Sequence, residues 1–141
     1  MRYHELVRRV QEKGGFDDPD DAVTAIRATL LSLGECLYRT ERCHLASQLP
    51  KEAKDFVYEY IDSEVTRQGA ACFTLEEFYD RVAARADVTR TGGVERARVV
   101  VAVLKEVLPE GEWEHIIEAL PKEYRELLGE EPPEAASPTR A

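Results

Sequence analysis

Leu49-Pro50-Lys51-Glu52 recurs 71 residues later as Leu120-Pro121-Lys122-Glu123. At that offset Val23 meets Val94, Arg27 meets Arg98, Leu33 meets Leu104 and Glu35 meets Glu106. Leu37 then meets Leu108, Glu41 meets Glu112 and His44 meets His115. Upstream the offset becomes 72, and Tyr3/Leu75, Glu5/Glu77, Leu6/Phe78, Arg9/Arg81 and Val10/Val82 come into register. One residue has been gained or lost in the loop after Val10 or Val82. The chain is an internal duplication, so its fold must be one that can be built twice. A half of about 65 residues buries little by itself.

The repeated unit is helical. Tyr3, Leu6, Val7 and Val10 have the spacing of one buried helical stripe, which Gly14-Gly15 ends. Asp18-Pro19 reads as an N-cap followed by a first-position proline, with Asp20 and Asp21 favouring the helix dipole. Capping explains the acidic residues 17–21 better than a calcium loop, because the loop's glycine and distal glutamate are missing. Val23, Ile26, Leu30, Leu33 and Leu37 form the second stripe. Thr40 is the expected cap of a short third helix over 41–48, followed by a corner at Leu49-Pro50. The fourth helix carries Ala53, Phe56, Val57, Tyr60, Ile61 and Val65, and is predicted to run to about Arg67 before Gly69.

In the second half, Thr74-Leu75-Glu76-Glu77 is a capping box, with Phe73 placed to staple onto Phe78. Leu75, Phe78, Tyr79 and Val82 follow as a stripe, and Gly92-Gly93 is expected to precede the next helix. Residues 99–103 have strand propensity. Their helical flanks, and a counterpart without that bias, predict helix. Turn 109–111, a short helix over 112–119 and a last one over 122–128 complete the copy.

The predicted fold is all-α: two tandem four-helix repeats, residues 3–68 and 73–128, packed as one eight-helix domain with approximate internal two-fold symmetry. Two small lobes hinged on the fourth helix are the alternative. Residues 129–141 contain three prolines and no large apolar side chain, a composition that predicts disorder.

Composition narrows the partners. The net charge is −9, from 28 acidic and 19 basic residues with no basic block, which disfavours nucleic acid and anionic membranes. No apolar run approaches the 18 or so residues of a membrane span. The N-terminus has no apolar signal core, and three cysteines without framework spacing fit a reducing compartment, so a cytoplasmic location is expected.

The doubled pattern of a helical stripe, an acidic residue opening a short helix and a Leu-Pro corner resembles a known family. Its residues here are Leu37, Glu41, Leu45, Leu49 and Pro50, and then Leu108, Pro109, Gly111, Glu112, Leu120 and Pro121. Over roughly 3–128 the chain resembles the bacterial family known as domain of unknown function 2267. The resemblance implies an all-helical bacterial cytosolic protein, and it brings no activity and no catalytic residues.

No phosphate loop, dinucleotide fingerprint, nucleophile elbow or metalloprotease motif is present, so the sequence leans away from an enzyme and implies no cofactor. The sharpest chemical signal is Glu-x-x-His, found as Glu41/His44 and Glu112/His115. Such pairs on two helices, joined by a glutamate from each of two others, build di-iron carboxylate sites, and Glu5/Glu77 or Glu35/Glu106 are the matched candidates. Against that reading, these helices are short, and Glu41 and Glu112 already complement their helix dipoles. Cys36 and Cys43 flank a turn beside His44 and read as packing cysteines rather than zinc ligands; whether they or Cys72 are redox-active is open. Trp113, Tyr38, Tyr58, Tyr60 and Tyr124 are candidates to line a groove between the halves, with Tyr60 and Tyr124 expected in the core. Trp113 occupies the repeat position of Arg42, which predicts a solvent-facing site and an interaction anchor.

The leading functional reading is a non-catalytic module that binds another protein or a second copy of itself. Metal or small-ligand binding through Glu41, His44, Glu112 and His115 is the alternative, and an enzyme of unfamiliar type in the inter-repeat cleft is the third.

Overall fold

The computed structural model describes residues 1–59 and 74–128. Among these residues every regular element is helical: α1 (Tyr3–Gly14), α2 (Pro19–Cys36), α3 (Arg39–Ser47), α4 (Lys51–Tyr58), α5 (Leu75–Ala86), α6 (Arg90–Val107), α7 (Glu112–Glu118) and a closing 3-10 helix (Lys122–Leu128). The helix order of the first half recurs in the second. α1 and α5 start 72 residues apart, and α2 and α6 start 71 apart.

The caps explain where the helices begin. Asp18 accepts from the Asp20 amide at 2.9 Å, ahead of Pro19. Thr74 and Glu77 exchange hydrogen bonds in a full capping box, Glu77 N to Thr74 Oγ1 at 3.1 Å and Thr74 N to Glu77 Oε1 at 2.9 Å. These reciprocal bonds satisfy two amides that the first turn leaves open.

Three elements differ from the sequence expectation. Tyr38, not Thr40, caps α3. The last element, Lys122–Leu128, is 3-10. α6 begins at Arg90, capped by Thr89, and so runs through Gly92-Gly93 where a break was expected. Packing accounts for Gly93: a β-carbon there would lie 2.7 Å from Ala83 Cβ and 2.9 Å from Ala83 Cα. The glycine lets α6 approach α5 closely. Gly34 does the same for α2 against α4, because an added β-carbon would sit 2.2 Å from the Val57 carbonyl oxygen. The extension of the fourth helix through Tyr60 to Arg67, the Phe73 staple, Cys72 and the tail 129–141 lie outside the described residues.

α2 is the hub. It packs on α1, α4, α5 and α6, and Ala22, Ala25, Ile26, Ala28, Leu30, Leu31 and Leu33 are buried around most of its circumference. α6 packs on α1, α2, α5 and the 3-10 helix. The contact of α1 with α6 is answered by that of α5 with α2, so each half covers the other's core helix. A fully buried Leu or Ile contributes about 1.5–3 kcal/mol over an exposed one, and this shared core outweighs what either half could bury alone. Leu49 and Leu120 are both buried at the Leu-Pro corners. Pro50 immediately precedes α4, where its carbonyl accepts from Lys54 N at 2.8 Å, and Pro121 precedes the 3-10 helix in the same way. The short helices α3 and α7 also meet each other. No helix among the described residues is long and apolar enough to cross a membrane.

Candidate functional site

The α3–α7 contact brings the duplicated Glu-x-x-His pairs together. His44, in the last turn of α3, and His115, on α7, have ring centroids 5.0 Å apart with planes tilted by 44°. The Glu112 carboxylate faces His44 Nε2, and its Oε1 atom is shielded from solvent. His115 is exposed and His44 half-exposed, so the imidazole pair lies at a solvent edge of the contact. Glu41, the repeat partner of Glu112, is half-buried in the first turn of α3.

The other carboxylates of the di-iron arrangement are elsewhere. Glu35 lies 2.7 Å from Arg85 and 3.5 Å from Arg81. Glu106 lies 3.0 Å from Lys13 and 3.9 Å from Arg9. Glu77 is engaged in the Thr74 cap, and Glu5 sits in the first turn of α1. Among the described residues, no group of three or more His, Cys, Asp or Glu side chains is set to hold a metal ion. The four-carboxylate expectation therefore does not hold. Glu35 and Glu106 are instead paired with cations from the opposite half, which is a structural role.

The expected exposure of Trp113 is also overturned. Trp113 is 4% exposed and belongs to the core cluster, and Arg42 at the equivalent position is 1% exposed. Both face inward from their short helices. Arg42 manages burial because Nε donates to the Gly34 carbonyl at 2.8 Å and Nη2 to the Leu37 carbonyl at 2.7 Å. These carbonyls close the C-terminus of α2, where a positive charge complements the helix dipole. Burial lowers the Arg42 pKa from the usual arginine value, with Tyr58 and Cys43 acting the other way. An arginine stays charged under such a shift.

The two described cysteines part company. Cys36 is buried and donates to the Tyr124 hydroxyl at 3.5 Å. Cys43 is exposed, and accepts from the Tyr58 hydroxyl at 3.4 Å. Packing describes Cys36 but not Cys43. Tyr124 is buried, as expected of a core residue.

Beyond Met1, the large hydrophobic side chains exposed among the described residues are Tyr38 (57%) and Tyr58 (38%). Tyr38 caps α3 and Tyr58 ends α4, two helices in contact. The Tyr58 hydroxyl is pushed up to about 12, first by desolvation and then by Cys43, while Arg42 and Arg39 pull the other way. Arg39, Cys43 and Tyr58 thus share one edge, and exposed Tyr38 is the chain neighbour of Arg39. Tyrosine at helix ends was visible in the sequence; that the core left these two uncovered was not.

No curated protein matches the chain. The sequence profile of the family described as "Uncharacterized conserved protein (DUF2267)" does match, over residues 3–127, and the chain belongs to that family.

Proposed function

We propose that this chain is a non-catalytic binding domain that recognises another protein through the edge formed by Tyr38, Arg39, Cys43 and Tyr58. The exposure of Tyr38 carries the reading. Tyrosine supplies a large, stiff contact surface with a polar tip and is enriched among the residues that dominate interface energies. The proposal replaces Trp113 as anchor with two residues that a partner can reach. A cytoplasmic, bacterial setting is part of the same reading, supported by the family resemblance and by the free thiols of Cys36 and Cys43.

The proposal also takes residues 3–68 and 73–128 as two copies of one unit related by an approximate two-fold axis. The recurrence of helix starts and the exchanged ion pairs support it.

Cys43 offers a direct test. With Cys72→Ser in place, a photoreactive maleimide on Cys43 should cross-link a defined partner in lysate of the native host, and Tyr38→Ala should abolish the adduct. Sedimentation of the purified chain shows whether that partner is a second copy. An adduct pattern indifferent to Tyr38→Ala sinks the proposal.

A further inference from the structure

We propose that the segment bound at the edge of Tyr38, Arg39, Cys43 and Tyr58 is a short acidic stretch of another protein, its carboxylates held by Arg39 and Lys54. It rests on that edge being the binding edge. The Cys43–Tyr58 hydrogen bond of 3.4 Å ties α3 to α4 there. Arg39 lies one turn before Cys43 on α3, and Lys54 one turn before Tyr58 on α4, so each cation shares a helix face with a member of that pair. Arg39 is close enough to act on the Tyr58 hydroxyl.

The local charge is opposite to that of the chain. Against a net charge of −9, this face carries Arg39, Lys51 and Lys54 beside Asp55, whose carboxylate Lys51 already engages at 3.2 Å. Arg39 and Lys54 are exposed, and neither has an ion-pair partner among the described residues. The neighbouring acids turn elsewhere. Glu59 pairs with Arg27, Glu52 acts on Tyr3, and Glu41, two positions from both Arg39 and Cys43, lies on another side of α3. Arg42 is buried against the α2 carbonyls. The Tyr58 hydroxyl, raised first by desolvation, is neutral near pH 7 and adds no anion.

Charge complementarity selects carboxylates, and the small extent of the patch selects a short segment. Charges are screened beyond about 8 Å at physiological salt, so a ligand confined to the patch feels Arg39 and Lys54 rather than the acidic remainder. A nucleic-acid strand is anionic along its length and would run onto that remainder, and two unpaired cations release few counterions. Exposed Tyr38 and Tyr58 supply flat apolar surface for the side chains between the carboxylates.

Panning a random heptapeptide library displayed on phage against the purified, reduced chain should recover sequences enriched in Asp and Glu. A fluorescein-labelled synthetic copy of one recovered peptide then serves as the probe for anisotropy. Arg39→Glu with Lys54→Glu should weaken its binding about tenfold, and Arg39→Gln with Lys54→Gln about threefold. Lys105→Glu, a charge reversal on the exposed surface of α6, should leave it unchanged. Both edge cations are exposed, so the variants should keep the parental circular dichroism. The proposal is overturned by recovery of no binder, by peptides without acidic enrichment, or by displacement of the probe with polyuridylate. A dimer of the chain that Tyr38→Ala dissolves overturns it too, by making a second copy the occupant. Binding that is lost in Tyr38→Ala yet indifferent to the Arg39 and Lys54 changes sinks this inference alone. Indifference to Tyr38→Ala as well sinks the binding edge itself.

Discussion

Arg85 Nη1 lies 2.7 Å from Glu35 Oε1, and the corresponding pair in the other direction, Lys13 Nζ to Glu106 Oε2, spans 3.0 Å. Each glutamate sits near the end of a long helix, and each cation comes from the first helix of the opposite half. The two pairs differ in environment. The Glu35 side chain is 13% exposed against 48% for Glu106, and Arg85 also donates to buried Ser32 at 3.0 Å.

That asymmetry yields the first prediction. Glu35→Gln should destabilise the fold by about 1–3 kcal/mol, because it removes charged hydrogen bonds in a desolvated setting. Glu106→Gln should cost about 0–1 kcal/mol, as exposed pairs do. Urea unfolding of the two variants checks the order; equal costs would refute it.

The Leu-Pro corners give the second. Leu49→Ala and Leu120→Ala remove buried side chains at matching positions, and each should cost about 2–5 kcal/mol. A loss below about 1 kcal/mol at either site would mean that its corner is not core.

Arg42 and Trp113 fill one repeat position with opposite chemistry. Trp113→Ala should cost about 3–5 kcal/mol through lost packing. Arg42→Met keeps much of the volume but strands the Gly34 and Leu37 carbonyls, at about 1–3 kcal/mol for each buried group left unpaired. Chemical denaturation measures both. A neutral Arg42→Met would show that the two hydrogen bonds contribute nothing to stability.

The fourth prediction concerns alkaline pH. Burial pushes the Tyr79 hydroxyl up to about 12; Arg98 opposes the shift and Glu126 adds to it. An unfolded tyrosine ionises near about 10. The raised folded value favours the neutral form, so its stabilising contribution is complete below pH ~10 and is lost as pH rises toward ~12. The unfolding free energy should therefore fall across that window, and Tyr79→Phe should fall less steeply. An unchanged slope in Tyr79→Phe would refute the assignment.

Much of the fold was legible because helix caps and apolar stripes are local signals. Asp18-Pro19 and the Thr74/Glu77 box marked helix starts that the structure keeps. What failed depended on the neighbour across a contact. Gly92-Gly93 looked like punctuation because nothing local reveals that Ala83 presses against Gly93. Trp113 was misplaced through Arg42: a charge normally signals solvent, and only the α2 carbonyls explain why this one is buried. Duplication made His44 and His115 equivalent, but equivalence alone does not place two residues side by side. Their meeting follows from α3 packing on α7. The same blindness applied to Glu35 and Glu106, whose cations were in plain view at Arg81 and Arg9 yet belong to the opposite copy.

The crossed pairing of Glu35 with Arg85 and of Glu106 with Lys13 also bears on what either half could do alone. A lone half carries both the glutamate and its cation on surfaces that cannot reach each other's complement except in another copy. Two such halves satisfy one another reciprocally, as the subunits of an isologous homodimer do. Within one chain that reciprocity is intramolecular, so the two ion pairs form at an effective concentration that does not change with dilution.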